Sequence, residues 1–179
     1  NRINSSGTSI NYGVYLTSNA DNNTLDRNNI TSGGSSTANH GIYLDLNSTN
    51  NNITNNVINA SGSGTVYGIA VENITEGNSM NRFDSNNVSV SSAGSFGVFL
   101  RAANDTIFNN TYIRDVPNWT SSARGNNNNT FENTTFANVN GTINFPNLFE
   151  FNGTRDITLA LLNTTFNRSF VNSSDLTFL

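Results

Sequence analysis

The sequence predicts an all-β fold, a parallel β-helix, on three observations. Short apolar strings return at a nearly constant interval, each alternates with period two, and no helical periodicity intervenes. GVYL at residues 13–16 returns as GIYL at 41–44, GIAV at 68–71 and GVFL at 97–100, with spacings of 28, 27 and 29. In a second motif an apolar residue is followed after three positions by a small polar one and after five by another apolar one. It reads Leu25-Asn28-Ile30, Ile53-Asn56-Ile58, Phe83-Asn86-Val88, Ile107-Asn110-Tyr112 and Phe131-Thr134-Phe136, with spacings of 28, 30, 24 and 24. A unit of this length holds two or three short strands and must bury its apolar side against copies of itself. At about 28 residues per coil, the 179 residues make about six coils, each adding roughly 4.8 Å of height. They form one domain over 1–179, with clear repeats over 7–136 and an irregular continuation over 137–179, where NTTF of 133–136 recurs at 163–166.

In the first strand type, alternation points Val14, Leu16, Ile42, Leu44, Ile69, Val71, Val98 and Leu100 inward as two aliphatic columns. Tyr15, Tyr43, Ala70 and Phe99 then face outward. His40 stands two places before Ile42, where the other repeats carry Tyr12, Tyr67 and Phe96, which predicts a ring in an aromatic column. Asparagine has two jobs available at the bends. It tolerates the left-handed conformation of a sharp corner, and Asn28, Asn56, Asn86 and Asn110, at one repeat position, can form an amide ladder along the axis.

Composition removes several function classes. Asn (38), Ser (21) and Thr (21) make up 80 of 179 residues, while Cys, Lys and Gln are absent. A disulfide framework or a Cys-ligated zinc site is therefore excluded. A net charge of −4 without a basic stripe argues against a nucleic-acid partner. The longest apolar run, Leu159–Leu162, falls far short of the roughly 20 residues of a membrane-spanning helix. The sequence opens without Met or a charged-then-apolar leader, so an export signal is expected to have been removed or to lie outside this piece.

The strings NNTLDRNNI, NNITNNVIN and SMNRFDSNNVSV, each tied to a GIYL-like strand, resemble the right-handed parallel β-helix repeats of NosD-like and archaeal cell-surface proteins. The resemblance covers residues 7–136 and implies a fold rather than a reaction. Sugar cleavage or epimerisation on such a rod needs two carboxylates across a bond, or a base with a cation. Asp26, Asp45, Asp84, Asp105 and Asp115, like Arg82, Arg101 and Arg114, are instead scattered singly, and no Asp-x-Asp calcium loop occurs. Asn39-His40-Gly41 resembles the Gly-His-Gly of polygalacturonases but lacks the first Gly and the paired Asp. No catalytic, cofactor or metal site is expected.

Asn-x-Ser/Thr sequons number 18, where random order predicts about nine. Copying of one repeat multiplies its sequon, and export through an N-glycosylating pathway also retains them. Bend and loop positions are the candidates for covalent glycans: Asn4, Asn22, Asn29, Asn47, Asn59, Asn73, Asn87, Asn104, Asn118, Asn128, Asn140, Asn152 and Asn172. A sequon-rich chain without Cys points to an extracellular, archaeal cell-surface setting. The apolar Ile3 at one end, and Leu176, Phe178 and Leu179 at the other, suit end-to-end docking of copies. The expected function is a structural, N-glycosylated subunit of an extracellular filament, sheath or surface layer. The alternatives are a glycan-binding adhesin using Tyr15, Tyr43, Phe99 and Trp119, and a carbohydrate-active enzyme.

Overall fold

A computed structural model describes residues 1–35, 37–114, 118–123, 129–132, 134–144, 157–167 and 176–178, with side chains for 1–35, 37–72, 79–114, 129 and 134. The first coil holds β1 (Arg2–Gly7), β2 (Asn11–Leu16) and β3 (Thr24–Asp26). The second holds β4 (Asn29–Gly34), β5 (Asn39–Asp45) and β6 (Asn52–Thr54). The third holds β7 (Val57–Ala60), β8 (Tyr67–Asn78) and β9 (Arg82–Asp84), and the fourth β10 (Asn87–Val90), β11 (Phe96–Asn104) and β12 (Ile107–Asn109). Then come β13 (Tyr112–Arg114), β14 (Asn118–Ala123), β15 (Thr130–Glu132), β16 (Thr135–Asn144), β17 (Ile157–Asn167) and β18 (Leu176–Phe178).

Strands stack on the equivalent strand of the next coil, and the pairing is parallel throughout the described residues. β1-β4-β7-β10-β13 form one wall, β2-β5-β8-β11-β14 a second and β3-β6-β9-β12-β15 a third. The described residues thus form a parallel β-solenoid of about four turns at about 28 residues each, against the expected six. Beyond the regular coils the plan changes at β16, which pairs with both β13 (Thr135 opposite Tyr112) and β14 (Asn144 opposite Ser121). Two walls merge on one strand, and the separate corner between them is lost.

Four columns fill the interior. Val14-Ile42-Ile69-Val98 and Leu16-Leu44-Val71-Leu100 run up the second wall in the expected register. Ile3-Ile30-Ile58-Val88-Ile113 line the first wall and Leu25-Ile53-Phe83-Phe108 the third. The members within the second, third and fourth coils are fully buried, whereas Ile3, Val14, Leu16 and Leu25 of the first coil pack on them half-exposed. The Phe83 and Phe108 rings stack at 4.7 Å, filling with aromatic volume what Leu25 and Ile53 fill with aliphatic.

Two corners flank the third wall, and each divides the expected tasks of Asn between neighbouring residues. Left-handed backbone falls at Asn22, Asn50, Met80 and Asp105 before this wall and at Arg27, Asn55, Ser85 and Asn110 after it. The next residue in each case is the rung. Asn56 Oδ1 accepts from Asn28 N (2.9 Å) and Nδ2 (3.1 Å), and Asn86 Oδ1 accepts from Asn56 N (3.0 Å) and Nδ2 (3.1 Å). Asn110 is not part of this ladder: it holds the left-handed corner, and Thr111 occupies the rung. The fourth repeat of the second motif therefore reads Phe108-Thr111-Ile113, one residue later than expected. Phe108 and Ile113 are buried while Tyr112 is exposed. A single-residue slip in a strand exchanges inside for outside, and adjacent apolar pairs, Ile107-Phe108 and Tyr112-Ile113, made the two frames look alike.

The expected assembly ends divide between described and undescribed parts. Ile3 packs against the core from the first coil, and the backbone of Leu176 and Phe178 belongs to β18, paired with β17. Their side chains, and Leu179, lie outside the described residues.

Candidate ligand groove on the aromatic wall

The second wall owes its outer surface to a glycine column. A Cβ on Gly13 would lie 2.3 Å from Ile30 Cγ2 and 2.6 Å from Gly41 O, and one on Gly41 would lie 2.4 Å from both Ile58 Cγ2 and Gly68 O. No side chain fits there, so the strands stay close. Gly and the aliphatic residue after it both face the interior, and the ladder skips the Gly. Both strands skip it in step, which brings the residues on either side of the pair to one outer face. Aromatic-Gly-aliphatic-aromatic therefore projects two rings outward per coil: Tyr12 and Tyr15, His40 and Tyr43, Tyr67 alone where Ala70 follows, and Phe96 and Phe99.

These rings form one continuous cluster. Tyr12 stacks on Tyr15 (4.5 Å) and lies 5.6 Å from His40, His40 stacks on Tyr67 (4.7 Å), and Tyr67 stacks on Phe99 (4.3 Å). Tyr43 stands edge-on to Tyr12 (5.3 Å) and Tyr15 (5.9 Å). Such offset and edge-on pairs suit the ring quadrupoles. His40 is a member of the column, as its position before Ile42 implied, and is buried. Its Nδ1 accepts the Tyr67 backbone N–H at 3.0 Å, and burial lowers its pKa to about 4, so the ring is neutral. Ala70, expected to face solvent, is fully buried within the wall.

A polar rim crosses the rings. The Tyr15 hydroxyl donates to Asp45 Oδ2 (3.0 Å), the Tyr43 hydroxyl donates to Glu72, and Arg101 pairs with Glu72 from the next coil. Burial, and then the bond and negative charge of Glu72, push the Tyr43 hydroxyl pKa upward, and burial raises those of Tyr12 and Tyr67. All three remain hydroxyl donors across the physiological range. Beside the rings lies a groove of about 490 Å³, lined by Ile10, Thr37 and Thr65 of the preceding turns together with Tyr43, Phe99 and Arg101.

Asp26, Asp84 and Arg114 bond within the scaffold. Asp26 accepts from Asn55 (2.9 Å), Thr54 (2.8 Å) and Arg27 (2.6 Å), which together hold its pKa at about 2. At Asp84 partial burial acts upward, but bonds from Arg82, Asn110 and Ser85 outweigh it and lower the pKa. Arg114 bonds Asn87 across coils at 3.3 Å. No group of three or more His, Asp or Glu placed to hold a metal occurs among the described residues. Asp115 and Trp119 have side chains outside them.

The glycan candidates fall into three groups. Asn22, Asn29 and Asn47 are exposed, Asn22 and Asn47 at left-handed turn residues. Asn4 is exposed as well, on β1, while Asn59 and Asn87 are half-buried. Asn104, expected at an outward bend, is buried, with its backbone N–H on the Ser79 hydroxyl (3.1 Å), which removes it as an outward position. The side chains of Asn73, Asn118, Asn128, Asn140, Asn152 and Asn172 lie outside the described residues.

Two further features are legible in residue order. A second ladder runs through Asn23, Asn51 and Asn81, with Asn51 Oδ1 on Asn23 Nδ2 (3.0 Å) and Asn81 Oδ1 on Asn51 Nδ2 (3.1 Å). Its members stand five residues before Asn28, Asn56 and Asn86, a spacing plain in NNTLDRNN. The Arg101–Glu72 pair is likewise one repeat apart, at 29 residues. No protein-family model matches this sequence, and no curated protein matches it.

Proposed function

We propose that this chain is a structural β-helical building block of an extracellular filament, sheath or surface layer, N-glycosylated and stacking end to end with its own kind. The observation that supports this most is the sameness of the junctions between coils. Aliphatic columns, amide rungs and parallel pairing recur from the first coil to the fourth, so a coil from another copy can dock through the contacts each coil already makes. A contact of that kind does not close on itself and propagates along the axis. Asn22, Asn29 and Asn47 are exposed sequons on the flank of such a rod, where a glycan does not interrupt the rungs. Placement on an archaeal-type cell surface belongs to the same proposal.

Negative-stain microscopy and intact-mass measurement on native material test it together. Rods with an axial repeat near the height of one chain, and a mass above the 19.3 kDa of the polypeptide, are expected. Isolated particles at every concentration, with the bare polypeptide mass, would overturn it.

A further inference from the structure

We infer that the groove beside the aromatic wall is a binding site for a neutral, linear oligosaccharide. This goes beyond the assembly reading, because it uses the flank of the rod and not its ends. Shape comes first. The groove is lined from Ile10 in the first coil, through Thr37 and Thr65, to Phe99 and Arg101 in the fourth. It follows the axis for three coil spacings, roughly 14 Å, the reach of an extended chain of a few pyranose units. A compact ligand would leave most of that length empty.

Chemistry narrows the occupant. Half-exposed rings of Tyr12, Tyr43, Tyr67 and Phe99 offer apolar surface whose negative faces suit the polarised C–H bonds of a sugar ring. Among them stand tyrosine hydroxyls and the Glu72–Arg101 pair, which supply acceptors and donors to sugar hydroxyls in a fixed order along the groove. A nucleic acid or other polyphosphate meets Asp45 and Glu72 on a chain of net charge −4, with Arg101 already engaged by Glu72. An extended peptide that binds by adding a strand would need a free strand edge to pair with. Strands β5, β8 and β11 beneath the groove are each hydrogen-bonded on both sides, so none is offered. A polyhydroxylated chain needs no backbone partner.

The test is calorimetric titration of the full chain with neutral gluco-, manno- and galacto-configured hexasaccharides. A hexauronate and an extended Ser/Thr-rich decapeptide serve as competing chemistries. At least one neutral hexasaccharide should bind, and Phe99→Ala should weaken it about tenfold or more. That variant is safe for the fold, because Ala70 already occupies the position opposite Phe99 in the neighbouring coil. Arg101→Ser, at a side chain 46% exposed, gives a second variant that removes donors without touching the interior and should also weaken binding. Cooperative melting, shifted by no more than a few degrees from the parent, confirms that both are folded. The inference is overturned if no neutral hexasaccharide binds, if the uronate or the peptide binds more tightly, or if both folded variants bind as well as the parent.

Discussion

The amide corner and the aromatic wall are two solutions to stacking the same four coils, and they differ in what they leave over. At the corner, Asn56 spends its side chain entirely on neighbours: its Oδ1 accepts twice from Asn28, and its Nδ2 donates to Leu25 O (2.9 Å) and Asn86 Oδ1. It is buried, and nothing of it remains for a ligand. At the wall the rings meet at 4.3–6.5 Å yet keep part of their surface and their hydroxyls outside. Buried amides must be satisfied to be tolerated, while aromatic rings are stabilised by partial burial alone. A saturated ladder therefore makes a scaffold, and a half-buried ring column makes a scaffold with a usable face.

The largest effect should come from the interior that both sides share. Ile69→Ala opens a cavity behind the aromatic wall and should cost roughly 2–5 kcal/mol, read by denaturant melts. A loss below about 1 kcal/mol would mean that the wall's rings, not the core, hold the coils in register.

Next is the corner. Asn56→Ala deletes four hydrogen bonds and strands the Asn28 donors, for about 2–4 kcal/mol. Asn56→Thr should cost about half as much, because Thr111 and Thr134 already serve as rungs, donating to Phe83 O (3.5 Å) and Phe108 O (3.3 Å). Equal losses for the two variants would show that the full amide ladder, not the satisfaction of the corner carbonyls, is what stabilises.

Acid separates the two sides by pH. His40 is held neutral to about pH 4 in the fold, against 6.5 when exposed, so between these values the unfolded chain binds the extra proton. Stability should then rise with pH through that window by at most about 1.4 kcal/mol per pH unit and level off above 6.5. Asp26 at the corner, with its pKa lowered from 3.8 to about 2, loses its contribution only as pH falls below that higher value. Melting curves from pH 4 to 7 thus report on the wall, and His40→Phe should flatten them. The smallest effect belongs to the rim. Phe99→Ala should change stability by about 1 kcal/mol, the scale of one aromatic pair, because the ring stacks on Tyr67 but covers little core.

Much of this division could be read from residue order. The spacing of GVYL, GIYL, GIAV and GVFL carried the second wall, its inward columns and the place of His40 among the rings. The frame of the fourth coil could not be read so, because Ile107 and Phe108 are both apolar and only packing against Phe83 selects the second. Glu72 and Arg101 likewise look like isolated surface charges until parallel pairing puts one coil's strand on the next.

By itself the sequence determined the repeat, the strand period and the residue types at corners and walls. These are local properties: period two follows from the backbone pleat, and a repeat unit too small to bury itself must stack. Tertiary structure decided which of two adjacent residues is a rung and which a left-handed turn, where two walls merge on β16, and that rings, hydroxyls and an ion pair from four coils line one groove. Those depend on lateral register between segments about 28 residues apart, which no local preference encodes.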